Sequence, residues 1–213
     1  MATQISESAP QYDVTYEDWL RTAPESRMSE WVKGKVIDFM LPSQRHQRIL
    51  AWLTAILEFF TQDRQLGEII AAPFEMRLEV VPSSREPDII FVLSSNLERF
   101  DAKRHNGPAD LAVEILSPDS IARDRRDKFA EYATAGVTEY WIIDPRLGRY
   151  SIKAYLLSDD KVYEEIAPRA DGRVASSVID GFTFDPAWIE QDPLPAPSAT
   201  LALIDAIAKS ERR

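Results

Sequence analysis

The sequence predicts an α/β fold of the α+β kind, with a central β-sheet covered by helices and a β-rich extension at its C-terminal end. Three stretches carry that expectation. Ile89–Leu93 and Leu111–Leu116 are solid apolar blocks, the pattern of strands buried on both faces rather than one. Behind Ser43, residues Ile49, Trp52, Leu53, Ile56, Leu57 and Phe60 recur at spacings of three and four, which makes one broad apolar helix face. After Gly148, alternating runs parted by Asp-Asp and Asp-Gly pairs read as an antiparallel meander.

Taken in order, residues 1–13 are polar and without periodicity and are expected to form a flexible leader. Thr15 and Asp18 suit the cap of a short helix bearing Trp19 and Leu20. S-E-W-V-K-G-K-V-I-D-F-M reads as a hairpin that turns at Lys33-Gly34 and places Glu30 on its first strand. Ser43 caps the long helix, and Gly67 is expected to end it. Strands follow at Glu68–Ala72, Phe74–Val80 and Asp88–Leu93, then at Leu111–Leu116. Pro118 and Ser120 mark a turn and a cap before a helix from Ile121 to Ala135, closed by Gly136. The aromatic run Glu139–Ile143 is a further strand, stopped by Asp144-Pro145. The meander comprises Tyr150–Leu157, Val162–Ile166 and Val178–Phe184. We divide the chain into the leader, a folded domain over 14–190, and a tail over 191–213 whose Pro-rich linker leads to a short helix.

Composition narrows the function. The chain has 213 residues and no cysteine, which excludes disulfides, thiolate zinc sites and cysteine nucleophiles and fits a reducing cytoplasm. Its start lacks a signal peptide's pattern, and no window approaches the roughly 20 apolar residues of a membrane span. The net charge of -10 argues against bulk electrostatic attraction to nucleic acid. Its distribution softens that objection, because residues 99–128 hold seven basic and six acidic side chains and the excess is concentrated towards the end of the chain.

Candidate chemistry centres on Asp88 and Glu114, each at or near the end of a buried strand. A charge there is costly unless something pairs with it. A strand-end cap, or an ion pair to Arg85 or Arg123, is the bland explanation. The functional one is that two carboxylates and one main-chain carbonyl, that of Ile115, hold Mg²⁺ or Mn²⁺ while waters complete its shell. Lys128 lies on the following helix. Its stem could snorkel along the buried edge, or its ammonium could orient the attacking water or offset charge on a phosphoryl transition state; Asp124, one turn earlier, either holds it there or makes an ordinary i,i+4 helix pair with it. Glu30 alone signals nothing. His46 and His105 lack partners at metal-ligand spacing and are expected to be hydrogen-bonded or solvated. Phosphate-binding loops, G-x-S-x-G and H-E-x-x-H are absent.

These residues sit in a series that resembles the Uma family of restriction-type endonucleases, within the PD-(D/E)xK nuclease superfamily. The matching pieces are E-W-V-K-G-K-V, H-Q-R-I, E-P-D-I-I-F-V, E-I-L-S-P, R-D-R-R-D-K-F-A-E-Y and G-V-T-E-Y-W-I-I-D-P, spread over about Thr15 to Ile189. The resemblance implies a restriction-endonuclease-like core with a mixed sheet, Asp88 and Glu114 as Mg²⁺ ligands, a contribution from Glu30, and Lys128 in place of the superfamily's catalytic lysine. Two residues after Glu114 stands Leu116 where the superfamily pattern has lysine. The expected activity is Mg²⁺-dependent hydrolysis of DNA phosphodiesters. A second expectation is an inactive nuclease-fold module acting through protein contacts, with the E-Y-W-I-I strand as an apolar edge that pairs two copies into a homodimer.

Overall fold

The computed structural model describes residues 14–22, 29–38, 41–118, 120–146 and 148–211. The expected leader therefore lies outside the described residues. Helix α1 (Tyr16–Thr22) precedes the hairpin β1 (Ser29–Val32) and β2 (Lys35–Asp38), and the long helix α2 (Gln44–Asp63) follows. Next come β3 (Gly67–Ala71), β4 (Glu75–Leu78), β5 (Ser83–Arg85) and β6 (Ile89–Leu93). After β7 (Arg104–Asn106) and β8 (Leu111–Ile115), a helical segment opens with a π turn over Arg123–Asp127 and continues as α3 (Lys128–Ala135). The chain ends with β9 (Glu139–Asp144), β10 (Ser151–Leu157), β11 (Tyr163–Glu165), the short pair β12 (Val174–Ala175) and β13 (Thr183–Phe184), and α4 (Pro197–Glu211).

A six-stranded mixed sheet in the order β11-β10-β9-β8-β6-β3 forms the centre. Only β8 and β9 within it run parallel, joined by the crossover through α3. Alternation along its strands divides the core in two. Ile89, Phe91, Leu111, Val113, Trp141 and Ile143 face α2 and the C-terminal segment. Ile90, Val92, Ala112, Tyr140 and Ile142 face the side of Tyr132 on α3 and Met76 on β4. The solid apolar blocks are thus explained: both faces of these strands are dry. A five-stranded sheet, β2-β1-β5-β4-β7, lies beside the second face. The C-terminal strands β10 and β11 extend the central sheet, and α4 buries Ile204 in the first core.

Several local expectations are met by specific contacts. Thr15 Oγ1 accepts from the Asp18 N–H and caps α1. Lys33 and Gly34 take φ of 47° and 84°, the left-handed pair that a tight hairpin turn requires. Ser43 caps α2 by accepting from the His46 N–H, and Gly136 closes α3 in the left-handed conformation at φ 98°.

Other expectations are corrected. Gly67 does not end α2, which stops at Asp63 with Arg64 as its C-cap. It opens β3 instead, where a Cβ would come within 2.1 Å of the Val92 carbonyl oxygen. The strand expected over Val178–Phe184 shrinks to Thr183–Phe184. The E-Y-W-I-I strand is no edge: β9 lies between β8 and β10, and all six of its residues are buried. A homodimer would need a different face. Strands β5 and β7 escape a pattern search because S-S-R and R-H-N carry no apolar alternation.

Candidate active site

The register of two strand pairs sets the site. Ile89 pairs with Val113 across β6 and β8, so one step further Asp88 is level with Glu114. On the second sheet Trp31 pairs with Ser84, so Glu30 is likewise level with Arg85, and its carboxylate accepts from that guanidinium at 2.7 Å. Glu114 stands on the face of β8 that looks at α3. There the π turn matters: the Lys128 N–H reaches back five residues to the Arg123 carbonyl. Such widened turns recur at functional sites, and here Asp124 and Lys128 both point inward.

Lys128 Nζ lies 2.8 Å from Glu114 Oε1, 3.3 Å from Glu30 Oε1 and 3.5 Å from Asp124 Oδ1. All four side chains are buried; Lys128 is 3% exposed. This lysine does not snorkel. Burial works against its charge, but the surrounding carboxylates outweigh that and hold the ammonium protonated well beyond its ordinary range. Tyr132 adds a hydrogen bond to the same Oε1 of Glu114 at 2.9 Å. Burial pushes the Glu114 carboxyl well above the usual range; the Lys128 ammonium opposes it, while Asp124, Asp88 and Glu30 add to it. Glu30 goes the other way: burial opposes its charge, but Lys128 and Arg85 hold its carboxyl below the usual range.

Arg85 is also buried, bound to Glu30 and, at 2.6 Å, to Glu131. It therefore locks neither Asp88 nor Glu114. Those two acids, with Ile115, Asp124 and Lys128, line a cavity of about 250 Å³. The structure brings all the expected site residues together, with Glu30 placed behind the lysine rather than on the cavity wall.

Two further residues stand on that wall: His46, expected to be hydrogen-bonded or solvated, and Glu86, which the sequence did not single out. His46 Nε2 lies 3.3 Å from Asp88 Oδ2. Burial lowers its proton affinity, but Asp88 and the Ile115 carbonyl raise it more. The only early signal was H-Q-R-I at the start of α2. Glu86 directs a buried Oε2, without a hydrogen-bond partner among the described residues, beside the same cavity. Burial, Glu30 and Glu75 push its carboxyl up to about 7. His105, by contrast, bonds the Gly107 carbonyl through Nδ1 and belongs to the loop.

The donors suit a hard divalent cation. Asp88 and Glu114 offer carboxylate oxygens to one cavity, with Ile115 at its wall, and Asp88 Oδ2 is fixed by the Ile115 N–H at 2.6 Å. Among the described residues, no group of three or more His, Asp or Glu could cage a metal alone. Mg²⁺ does not require one, because it retains several waters and binds through one or two carboxylates.

Fold and site together define an α+β protein of the restriction-endonuclease-like class. A solved structure described as "a putative nuclease belonging to DUF820 from Anabaena variabilis ATCC 29413" shares the fold at a TM-score of 0.69 and 18% identity, over 83% of this chain and 97% of that one. The model of the Uma2 family, described as "Putative restriction endonuclease", matches residues 13–187. The chain belongs to that family. No curated protein matches it.

Two outcomes follow from the buried charges. Lys128→Met leaves three carboxylates without their shared cation and is expected to destabilise the fold by roughly 3–5 kcal/mol; urea unfolding measures it, and a loss below about 1 kcal/mol would show that Lys128 is not the cation holding them. Unfolded, Glu86 releases its proton near 4.5, whereas the folded chain keeps it to about 7. Its contribution to stability is therefore complete below the lower value and is lost as pH rises to the upper one, by up to about 3 kcal/mol. In chelator, Glu86→Gln is expected to remove that slope between the two pH values; parallel curves for both proteins would show ordinary ionisation.

Proposed function

We propose that this chain is a metal-dependent endonuclease that hydrolyses DNA phosphodiesters. Membership of a family described as restriction endonucleases and the likeness to a nuclease fold support a nuclease role. The observation that carries the finer reading is the convergence of Asp88, Glu114 and Lys128 on one cavity although the lysine arrives from α3 rather than from β8. Leu116, where the superfamily motif has lysine, is buried in the second core, and Lys128 reaches the position from the helix.

Asp88, Glu114 and the Ile115 carbonyl would hold Mg²⁺, for which Mn²⁺ can substitute. Bound there, the cation would make an attacking hydroxide available near neutral pH and offset charge on the phosphate. His46 fixes Asp88 against the start of α2, and Tyr132 fixes Glu114. The Lys128 ammonium stands ready for the charge that grows on phosphate oxygens, in a site where low dielectric strengthens the attraction. Glu30, behind the lysine, and Asp124, on the cavity wall, hold that ammonium. The setting we assign is the cytoplasm, and no helix of the described residues is long and apolar enough to cross a membrane.

The net charge of -10, which works against attraction to phosphate, favours one second reading, an inactive nuclease-fold module that acts through protein contacts, as a homodimer if a second copy is its partner. Plasmid nicking in Mg²⁺ or Mn²⁺, with calorimetry alongside, separates the two. Wild type is expected to nick and to bind metal, while Asp88→Ala loses both, nicking by at least about 100-fold. Equal nicking by the two proteins would remove this site from the reaction, and no metal binding by wild type would favour the inactive module.

A further inference from the structure

The π turn that sends Asp124 and Lys128 into the cavity sends Arg125 to its other side. There Arg125, with Phe129 one turn on, borders a second hollow of about 260 Å³ whose remaining walls include Ile142, Tyr155 and Lys153. The two hollows are close. Glu114 lines the first, Ile142 lines the second, and these two residues are paired neighbours on β8 and β9, about 4.8 Å apart across the sheet.

Cations gather at this second hollow. Arg125 Nη2 and Arg146 Nη2 both bond Oδ2 of Asp144, at 3.2 Å and 2.6 Å. Arg146 Nε also bonds Oδ1 at 2.8 Å, which makes that pair bidentate. Hydrogen bonds from Arg146 hold the buried Asp144 carboxyl below the usual range, so it stays ionised and keeps both forks in place. One carboxylate shared by two guanidiniums leaves a net positive charge. A guanidinium has five donors, so each fork retains several for another acceptor. Lys153, half exposed and paired with Glu165, stands on the opposite side of the hollow from β10. The hollow is thus a small apolar-floored groove with oriented cations at its edge, on a chain whose net charge is -10.

We infer that this groove, with Arg125 and Lys153 on its walls and Arg146 joined to Arg125 through Asp144, seats the phosphate backbone of duplex DNA next to the phosphate that enters the Asp88–Glu114 cavity. The inference rests on the nuclease reading above and says where its substrate lies. Successive phosphates of one strand are spaced by roughly 3.4 Å along the helix axis, so a neighbour one or two nucleotides from the scissile bond meets the rim. Arginine matches phosphate through paired donors, and the Asp144 clamp prepays the orientation. Contacts of this kind place a duplex without reading its sequence.

The test is fluorescence anisotropy of a labelled duplex in chelator, with the dissociation constant followed against salt. The variant Arg125→Gln/Lys153→Gln leaves Arg146 on Asp144 and alters two half-exposed side chains. Wild type is expected to bind, and the variant to bind at least about tenfold more weakly, with a salt slope smaller by about two. Arg125→Lys keeps the charge and should keep the slope, and circular dichroism checks that each protein is folded. Arg21→Gln, far along the chain on α1, should match wild type. If wild type binds and the double variant has its affinity and slope, the groove is not the seat of the backbone while the nuclease reading stands. If wild type binds no duplex even at low salt, the DNA reading fails and this inference with it.

Discussion

One buried ammonium holds this protein's candidate site together. Lys128 contacts carboxylates from a hairpin strand, a central strand and its own helical segment. Removing a charge from water costs several kcal/mol, so its position makes sense only with all three acids around it, and theirs only with it. The same need explains Arg85, which answers Glu30 from the adjoining strand and Glu131 from α3. Two cations therefore tie the five-stranded sheet to the face of the central sheet that α3 covers.

That arrangement leaves the cavity with a particular division of labour. Its wall carries Asp88 and Glu114, the oxygens suited to a divalent cation, and the lysine tip suited to a phosphate. Glu30 stays behind, where its carboxylate lies against the lysine and off the cavity wall. The widened turn over Arg123–Asp127 gives successive residues opposite errands: Asp124 inward to the lysine, Arg125 outward to Asp144. A chain with excess negative charge can in this way keep a local positive rim beside the cavity that Asp88 and Glu114 line.

Much of this was legible in the sequence. The apolar blocks around Ile90 and Val113 announced strands with two dry faces, and a carboxylate at the end of each announced a compensated charge. Lys128 was legible as a helix residue on the buried edge, and Asp124 as the partner that holds it. The rest depended on tertiary register. His46 looked ordinary because its partner, Asp88, is far away in the chain, and Glu86 was hidden inside the motif that pointed to Asp88. Gly67 resembled a helix stop, since a glycine after an apolar helix usually is one; the real constraint, the approach of the Val92 carbonyl, exists only once β3 and β6 are paired. The aromatic strand β9 suggested an exposed edge because sequence does not show that β10 folds back to cover it.

The most direct measurement is anomalous diffraction from crystals soaked in Mn²⁺. The account predicts a single strong peak touching both Asp88 and Glu114, beside the Ile115 carbonyl and within reach of the Lys128 ammonium. A peak lodged elsewhere, or none at saturating Mn²⁺, would contradict it and leave the buried lysine and its carboxylates as a purely structural lock.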